Sequence, residues 1–303
     1  MRSYTSQQKG VCTFVEEIVN LYRAHSANIP QRVQDLIRQV QEVEGRVEQR
    51  FSLGLRNLDI LEIGPGQFLS QMTYFALHNC VVGIDLDVIA LGWRPIDYVR
   101  MLKSNGVRRT IKTVGRKLVG IDKRHRSELM KQLNLRTFPR MTVLRMDVCR
   151  MSFPDNSFDF VYSRSVFHSL PRPADAVREV ARVLRPGGVA YIWPHLYTSA
   201  NGSLDPRIYV GFGLSGDLRL WPHLRPQLSR ALKPNAYVNK LRLAKWRQLF
   251  SEAMPGVEFT LNRESDPELE KAARALQARG ELLEYTLEEL TTHDFVALWR
   301  KPQ

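Results

Sequence analysis

The apolar positions of this chain form short runs typical of strands and stripes at the helical spacing. The alternation of these two patterns along the chain predicts a sheet flanked by helices. Short apolar runs typical of buried strands lie at 58–61, 81–84, 141–146, 158–163 and 189–193. Between them, apolar residues recur at helical spacing from Gln67 to about Leu77 and from Ala174 to Leu184. Strands that alternate with helices in this way favour a doubly wound, mostly parallel α/β sheet.

Helical patterns also flank this core on both sides. The segment 1–57 carries two apolar stripes at helical spacing and predicts an N-terminal helical cap; the stripes are Val11, Phe14, Val15, Ile18, Val19 and Tyr22, then Val33, Leu36, Ile37, Val40, Val43 and Val47. Toward the other end, Asp266 and Thr286 each precede a helical stretch as N-cap residues. The apolar run 293–300 predicts a final strand.

The strongest local motif is the turn Glu62-Ile63-Gly64-Pro65-Gly66, which follows the first strand. Glycines lack a Cβ, so the backbone amides of such a turn can approach a ligand at the start of the next helix. The following strand stops at Asp85, at the spacing from which a carboxylate can accept hydrogen bonds from ribose hydroxyls. The motif indicates a nucleotide-type ligand, with a plain tight turn as the alternative interpretation.

Further motifs downstream make this pattern more specific. A strand closes at Asp147, a turn occupies 153–157, and a helix ends at the stop signal Arg185-Pro186-Gly187-Gly188. Over about residues 58–195 the chain resembles the class I S-adenosylmethionine-dependent methyltransferases, in particular the type 11 methyltransferase family. The resemblance implies a Rossmann-like methyltransferase fold with a seven-stranded sheet and an antiparallel last strand. It divides the chain into the cap and a methyltransferase domain, 58–303.

The resemblance also implies which residues bind S-adenosyl-L-methionine. Glu62, Gly64 and Gly66 match the loop that holds the methionine part of the cofactor. Asp85 matches the acid that binds the ribose, and Leu86 the apolar residue beside the adenine.

Two further strand ends complete the implied cofactor site. Met146 and Asp147 match the pair at the third strand end, where the carboxylate accepts from the adenine amino group, and Ser163 matches a position at the fourth. The family often has a third glycine where this chain has Phe68. A dinucleotide fingerprint would need its third glycine at Leu69, so a nicotinamide cofactor is not expected.

The chemistry implied is in-line methyl transfer, in which a hydroxyl acceptor must lose its proton. His168 and His195 follow the fourth and fifth strands and are the candidate catalytic bases. The alternative is that either histidine only lines the cleft or bonds to a backbone carbonyl. We expect no metal, since the sequence has neither a His-Glu-x-x-His motif nor paired cysteines.

Positive charge is concentrated in one segment. The chain has 44 Lys and Arg against 31 Asp and Glu, and residues 93–140 alone hold 14 basic residues against three acids. This segment is longer than a strand connection needs, so we interpret it as a basic helical insertion. It could contact an anionic membrane surface, phosphorylated glycans or nucleotide-linked sugars, or be a solvated surface only. Nucleic acid is not the expected partner, because no aromatic-rich RNA-binding motif occurs.

Composition favours a cytoplasmic enzyme. The chain of 303 residues contains 44% hydrophobic residues, enough for a sizeable core, and no long uncharged apolar stretch. The polar segment 1–10 does not resemble a secretory signal. The three cysteines of the chain are far apart in sequence, which is typical of free thiols in a reducing compartment.

The acceptor is expected to bind in the region 196–260, where aromatic residues stand among several Gly and Pro: Tyr197, Tyr209, Phe212, Trp221, His223, Tyr237 and Trp246. For Trp246 and Trp299, core packing is the favoured interpretation. The segments 221–224, 234–239 and 298–301 look like those of bacterial methyltransferases associated with polysaccharide and glycolipid assembly.

The resulting hypothesis is O-methylation of a small or medium acceptor, first a saccharide or glycolipid hydroxyl. A quinone, polyketide or other secondary metabolite comes second and RNA third. A cofactor-binding scaffold without turnover is the non-enzymatic alternative. The sequence does not define an oligomeric state.

Overall fold

The computed structural model describes residues 19, 22, 23, 26–205, 208, 219–232, 234 and 236–303. Its strands are β1 (Asp59–Ile63), β2 (Cys80–Asp85), β3 (Thr142–Arg145), β4 (Phe158–Arg164), β5 (Leu184–Trp193), β6 (Glu258–Arg263) and β7 (Thr292–Arg300). The longer helices are α1 (Ile29–Phe51), α2 (Ser70–Phe75), α3 (Pro95–Asn105), α4 (Val107–Leu118), α5 (Ile121–Gln132), α6 (Pro173–Val183), α7 (Leu243–Ala253) and α8 (Pro267–Ala278). Three short helical segments are Phe167–Ser169, Pro226–Ser229 and Leu287–Thr291.

The strands form one seven-stranded sheet in the order β3-β2-β1-β4-β5-β7-β6. Strand β2 pairs in parallel with both β1 and β3, whereas β6 and β7 pair antiparallel. The predicted doubly wound, mostly parallel seven-stranded sheet with an antiparallel last strand is confirmed. In such a sheet a ligand binds at the carboxyl ends of the parallel strands.

By its contacts the chain divides into two compact units. The first comprises the described residues up to Tyr162 together with Val183–Val189, and the second comprises Ser163–Arg182 and Ala190–Gln303. We refer to them as unit 1 and unit 2.

The core of unit 1 is built from apolar residues of β1, β2 and α2. Ile60, Leu61 and Met72 have no exposed surface. The Phe75 ring packs edge-on against Phe160 and Tyr162, with centroid separations of 5.9 and 5.3 Å. Aromatic contacts of this geometry add about 0.5–1.5 kcal/mol each beyond the area they bury.

The basic insertion contains the three helices α3, α4 and α5, as predicted, and residues 133–140 that follow them are not helical. Helix α5 packs on α1, where Val33 and Leu129 are fully buried in one apolar cluster. The amide of Gln132 donates to the Pro30 carbonyl at 2.9 Å. The predicted cap helix over 33–47 is present as part of α1, whereas the stripe 11–22 lies largely outside the described residues.

Unit 2 carries the helix caps that the sequence predicts. Asp266 accepts the amide N–H of Glu268 at the start of α8, and Thr286 forms a reciprocal capping box with Glu289. Trp246 and Trp299 are buried, as expected for core residues. Trp221, predicted to shape an acceptor pocket, is also fully buried in an apolar cluster, and its indole N–H donates to the Leu290 carbonyl at 3.2 Å.

Two boundaries differ from the sequence-based expectation. Helix α2 begins at Ser70 rather than Gln67, because Leu69 takes a left-handed conformation with φ 52° that interrupts the helical path. Strand β5 begins at Leu184 and runs through the glycines interpreted as a turn. Gly188 fits there because a Cβ would meet the Arg185 and Asp159 carbonyl oxygens at 2.9 and 3.0 Å.

No helix within the described part of the chain combines the length and hydropathy needed to cross a lipid bilayer.

Candidate active site

Backbone hydrogen bonds bring the ends of β1, β2 and β3 together in unit 1. The Gly64 N–H donates to the Ile84 carbonyl at 2.8 Å, and the Met146 N–H donates to the Asp85 carbonyl at 2.9 Å. Three of the segments singled out from the sequence therefore meet at one edge of the sheet: 62–66, 85–86 and 146–147. We call this edge the cofactor cradle.

The glycines of the cradle have the conformations that the motif requires. Gly64 and Gly66 have φ angles of 70° and 67°, in the left-handed region that residues with a Cβ rarely adopt. A Cβ built on Gly66 would meet no heavy atom within 4 Å. The space beside this backbone is therefore open, and a ligand can approach the turn closely.

Glu62 is a buried acid with an unpartnered carboxyl oxygen in the part of the chain that the structure describes. Its side chain belongs to a residue that is 2% exposed, and Oε2 has no hydrogen-bond partner among the described residues. Burial raises the pKa of Glu62 to about 8. An unpaired buried carboxyl group is energetically unfavourable. A cationic hydrogen-bond donor bound in the cradle would therefore stabilise the ionised form of Glu62.

Asp85 ends β2 with its carboxylate anchored to the backbone. Its Oδ1 accepts the Asp87 N–H at 2.8 Å, and the Leu86 carbonyl accepts from Arg145 Nε at 3.2 Å. Burial raises the pKa of Asp85 to about 6, while the nearby Arg109 guanidinium acts in the opposite direction. Arg109 belongs to α4 and forms an ion pair with Asp87, so the insertion contributes a positive charge next to the cradle.

Asp147 is positioned by the turn after β3. Its Oδ1 accepts the Cys149 N–H at 2.9 Å. The backbone N–H of Met146 donates a hydrogen bond to the Asp85 carbonyl, so Asp85 and Asp147 lie at the ends of neighbouring strands. The predicted cofactor site needs both acids at this edge of the sheet.

A cavity of about 350 Å³ begins directly after the glycine turn, at Gln67 and Phe68. Its other lining residues come from 90–93 and from the insertion helices, including Lys117, Lys123, His125 and Arg126. Phe68 stacks on His125 with a centroid separation of 4.3 Å, and the Arg116 guanidinium lies 4.8 Å from the centre of the Phe68 ring. The residue that replaces the family's third glycine therefore contacts the insertion.

Unit 2 contains a group of three histidines. The His195 ring lies 5.1 Å from His168 and 5.0 Å from His293, between ring centroids. His195 Nε2 lies 2.9 Å from the Ser165 hydroxyl, and its backbone N–H donates to His168 Nδ1 at 3.3 Å. His293 Nδ1 lies 2.7 Å from Asp294 Oδ2.

These histidines differ in protonation. Burial lowers the pKa of His168 to about 3 and that of His195 to about 4, so both rings are neutral at pH 7. The hydrogen bond with Asp294 raises the pKa of His293. His293 is therefore the strongest base of the three.

A family model matches the part of the chain that contains Met146, Asp147 and Ser163, whereas the turn 62–66 and Asp85 precede the matched residues. Residues 99–192 match the family model described as "Methyltransferase domain" of the type 11 methyltransferases. Over these residues the chain is similar to the type 11 methyltransferases, whose cofactor is S-adenosylmethionine.

The similar curated proteins match only short parts of this chain. An uncharacterized chloroplastic methyltransferase of Arabidopsis thaliana is 36% identical over 69 residues, which are 23% of this chain and 19% of the relative. Sterol 24-C-methyltransferase of Aspergillus fumigatus is 36% identical over 78 residues, 25% of this chain and 21% of the relative. The chain thus spans about a fifth of the length of the curated relatives it matches.

Solved structures similar to this chain have low sequence identity. The phosphoethanolamine N-methyltransferase 2 of Haemonchus contortus, in complex with S-adenosyl-L-methionine, has a TM-score of 0.45 at 15% identity, covering 86% of this chain and 53% of that one. The [4+2]-cyclase SpnF has a TM-score of 0.42 at 15% identity, covering 86% and 80%.

The cradle of the methyltransferase domain fits S-adenosylmethionine. The unpartnered Glu62 carboxyl can accept from the cofactor's positively charged amino acid end, and the open backbone at Gly66 allows close approach. The structure brings together seven of the predicted cofactor residues in unit 1: Glu62, Gly64, Gly66, Asp85, Leu86, Met146 and Asp147. Ser163 is buried in unit 2. Their roles stay predictions.

The structure also adds residues that the sequence did not single out. Ser165, His293 and Asp294 surround His195 in unit 2, and His125 contacts Phe68 in unit 1. A possible signal was the pair His293-Asp294 at the start of the last apolar strand, since polar pairs at strand ends are common in sites. Whether His168 or His195 is the catalytic base stays a prediction.

Proposed function

We propose that this protein transfers a methyl group from S-adenosylmethionine to a hydroxyl group of a saccharide or glycolipid that carries negative charge. The observation behind methyl transfer is the cradle, where an unpartnered buried acid stands beside an open glycine turn. When bound, the cofactor supplies an electrophilic methyl group, so the protein must mainly orient the acceptor and exclude water.

The cavity beside the cradle supports the choice of acceptor. Its volume of about 350 Å³ is in the range of small-ligand sites. Trp93, which is 58% exposed, stacks on Tyr98 with a centroid separation of 5.7 Å and offers a flat apolar face. Sugar rings pack on such faces, and Lys123 and Arg126 supply positive charge for a phosphate or carboxylate.

The proton of the acceptor hydroxyl needs a base. His168 and His195 are neutral at pH 7, so a ring nitrogen lone pair is present on each, although their low pKa values make both weak bases. His168 Nδ1 already accepts the His195 N–H, so in the neutral ring Nε2 carries the proton and the only lone pair is engaged. His195 is therefore the better candidate for the catalytic base of the two predicted histidines.

A second candidate function is methylation of a carbon atom in a lipid. It is supported by the sequence similarity to sterol 24-C-methyltransferases, which extends over a quarter of this chain. A carbon acceptor of this kind would need no phosphate-binding cations, so the basic lining of the cavity favours the charged saccharide.

The experiment is a transfer assay with methyl-labelled S-adenosylmethionine and four acceptor sets: phosphorylated saccharides and glycolipids, quinols, sterols, and RNA. We expect label in the first set, with a raised KM for Trp93→Ala and for the double variant Lys123→Gln/Arg126→Gln. Arg230→Gln, an exposed basic position of unit 2, is the matched control. Label in the sterols alone would support the second candidate, and cofactor binding without transfer to any set would indicate a scaffold.

A further inference from the structure

We propose that His195, His293 and Asp294 form a binding site for a divalent transition-metal ion of the zinc type. One ligand atom from each residue lies within 4.8 Å of the other two. The site shares His195 with the candidate bases of the proposed methyl transfer, but metal binding itself does not depend on that activity.

The distances within the group suit metal coordination. Asp294 Oδ2 lies 2.7 Å from His293 Nδ1 and 3.9 Å from His195 Nδ1. Zinc bonds of about 2.0–2.1 Å in tetrahedral geometry separate neighbouring ligand atoms by about 3.3 Å. The two distances lie on either side of this value and the third is within 4.8 Å, so side-chain movements on the order of an ångström would complete the site.

Asp294 and His195 each have a second polar atom that contacts a neighbouring side chain, as ligands of known metal sites do. Asp294 Oδ1 accepts from Asn262 Nδ2 at 2.6 Å, which leaves Oδ2 directed at the two imidazoles. The Ser165 hydroxyl lies 2.9 Å from His195 Nε2, which leaves the Nδ1 lone pair for a metal when Nε2 carries the proton. Outer contacts of this type orient metal ligands and are worth about 10–100-fold in metal affinity.

The backbone holds the ligands in place before any ion binds. The Leu196 N–H donates to the His293 carbonyl at 3.0 Å, and the Phe295 N–H donates to the Pro194 carbonyl at 3.3 Å. These two hydrogen bonds pair the backbone of His195 with that of Asp294 in an antiparallel β-bridge. A preformed site loses little conformational entropy on binding.

The chemistry of the ligands selects the class of ion. Two imidazole nitrogens and one carboxylate oxygen suit Zn²⁺, Co²⁺ or Fe²⁺, whereas Mg²⁺ and Ca²⁺ prefer oxygen ligands. The side chains of His195 and His293 are 29% and 34% exposed, so an ion can enter from solvent and keep a water ligand. Three protein ligands with one open position are typical of zinc sites that act on small molecules.

The test uses the full-length chain without an affinity tag, because added histidines would bind metal themselves. Equilibrium dialysis against Zn²⁺ and, separately, against Mg²⁺ measures stoichiometry and affinity. We expect one Zn²⁺ per chain and no comparable binding of Mg²⁺. His293→Gln and Asp294→Asn should each weaken Zn²⁺ binding at least tenfold, whereas His78→Gln, at an exposed histidine of unit 1, should leave it unchanged.

Ser165→Ala keeps the proposal testable if Asp294→Asn does not fold, because Ser165 is an exposed residue. We expect about a tenfold loss of Zn²⁺ affinity in this variant, with unchanged circular dichroism. The proposal is overturned if the wild-type chain binds no Zn²⁺, or if the affinity is the same in the wild type and in every variant of the site that folds.

Discussion

Burial shifts pKa values in opposite directions in the cofactor cradle of unit 1 and in the histidine group of unit 2, because one contains acids and the other bases. In the cradle, burial raises the pKa of Glu62 to about 8 and that of Asp85 to about 6. In the histidine group, burial lowers the pKa of His168 and His195. Burial disfavours the charged form in both places: at pH 7 the Glu62 carboxyl and the His168 and His195 imidazoles are neutral, whereas Asp85 stays mostly ionised.

The two regions differ in whether the chain supplies its own counter-charge. His293 and Asp294 pair with each other, and this pairing raises the pKa of the histidine and lowers that of the acid. Glu62 has no such partner among the described residues. The cradle is therefore completed by a ligand that brings positive charge, whereas the histidine group is stable as it stands. The experiments below test this difference, from the largest expected effect to the smallest.

The largest effect concerns stability and pH. Because the folded-state pKa of Glu62 is raised from 4.5 to about 8, the folded protein binds a proton over this interval that the unfolded chain has released. Stability conferred by the protonated form is therefore present in full below about pH 4.5 and is lost as the pH rises to 8, by up to roughly 5 kcal/mol. Urea unfolding at several pH values should show this loss, and it should be absent in Glu62→Gln. If the free energy of unfolding fell equally steeply with pH in the wild type and in Glu62→Gln, the buried, unpaired state of Glu62 would be contradicted.

Cofactor affinity should respond next most strongly. Glu62→Ala removes a carboxylate that can bond to the positively charged end of S-adenosylmethionine, a charged hydrogen bond worth about 1.5–3 kcal/mol. We expect a dissociation constant raised by roughly 10- to 150-fold, measured by calorimetry. Glu48→Ala, at an exposed position of α1, is the matched control and should bind normally.

Asp85→Ala should weaken cofactor binding by about 1–3 kcal/mol through the loss of hydrogen bonds to the ribose. The carboxylate also accepts the Asp87 N–H, so the thermal stability of the variant must be measured in parallel. Asp155→Ala, an exposed acid, serves as control. Unchanged affinity in a folded Asp85→Ala protein would exclude this acid from the site.

The smallest effect concerns the contact between the cradle and the insertion. Phe68→Ala removes the stack on His125 and the contact with Arg116, so we expect a loss of about 1–2 kcal/mol in the free energy of unfolding. Trp93→Ala, at a largely exposed ring of the same cavity, should change stability little and affect the acceptor KM instead. Denaturant titration of both variants separates the two roles, and equal losses of stability would contradict them.

The sequence was informative where a site residue follows a strand directly. Glu62, Asp85 and Asp147 each close or adjoin an apolar run, and parallel strands place such ends at one edge of the sheet. The caps Asp266 and Thr286 are equally local signals, since a side chain there bonds to an amide two or three residues away.

The sequence was uninformative where a contact depends on distant segments. The approach of His293 and Asp294 to His195 spans almost a hundred positions and results from backbone pairing that no short motif encodes. The phenylalanine at position 68 is explained by its stacking on His125 of the insertion, a contact between segments far apart in the sequence. Trp221, surrounded by turn residues, has the sequence context of a surface loop, yet its ring is held in a core built largely from 269–290.

The predicted membrane contact of the insertion and the cytoplasmic location also stay predictions. Binding of the protein to anionic vesicles, compared with neutral ones, would test the first of them.

The central claim is that the strand ends of unit 1 hold S-adenosylmethionine. Equilibrium dialysis of the folded wild-type protein with labelled cofactor tests it most directly. The account predicts one equivalent bound per chain, displaced by S-adenosylhomocysteine. No bound label with the folded wild-type chain, or full binding by a Glu62→Ala/Asp85→Ala double variant, would contradict it.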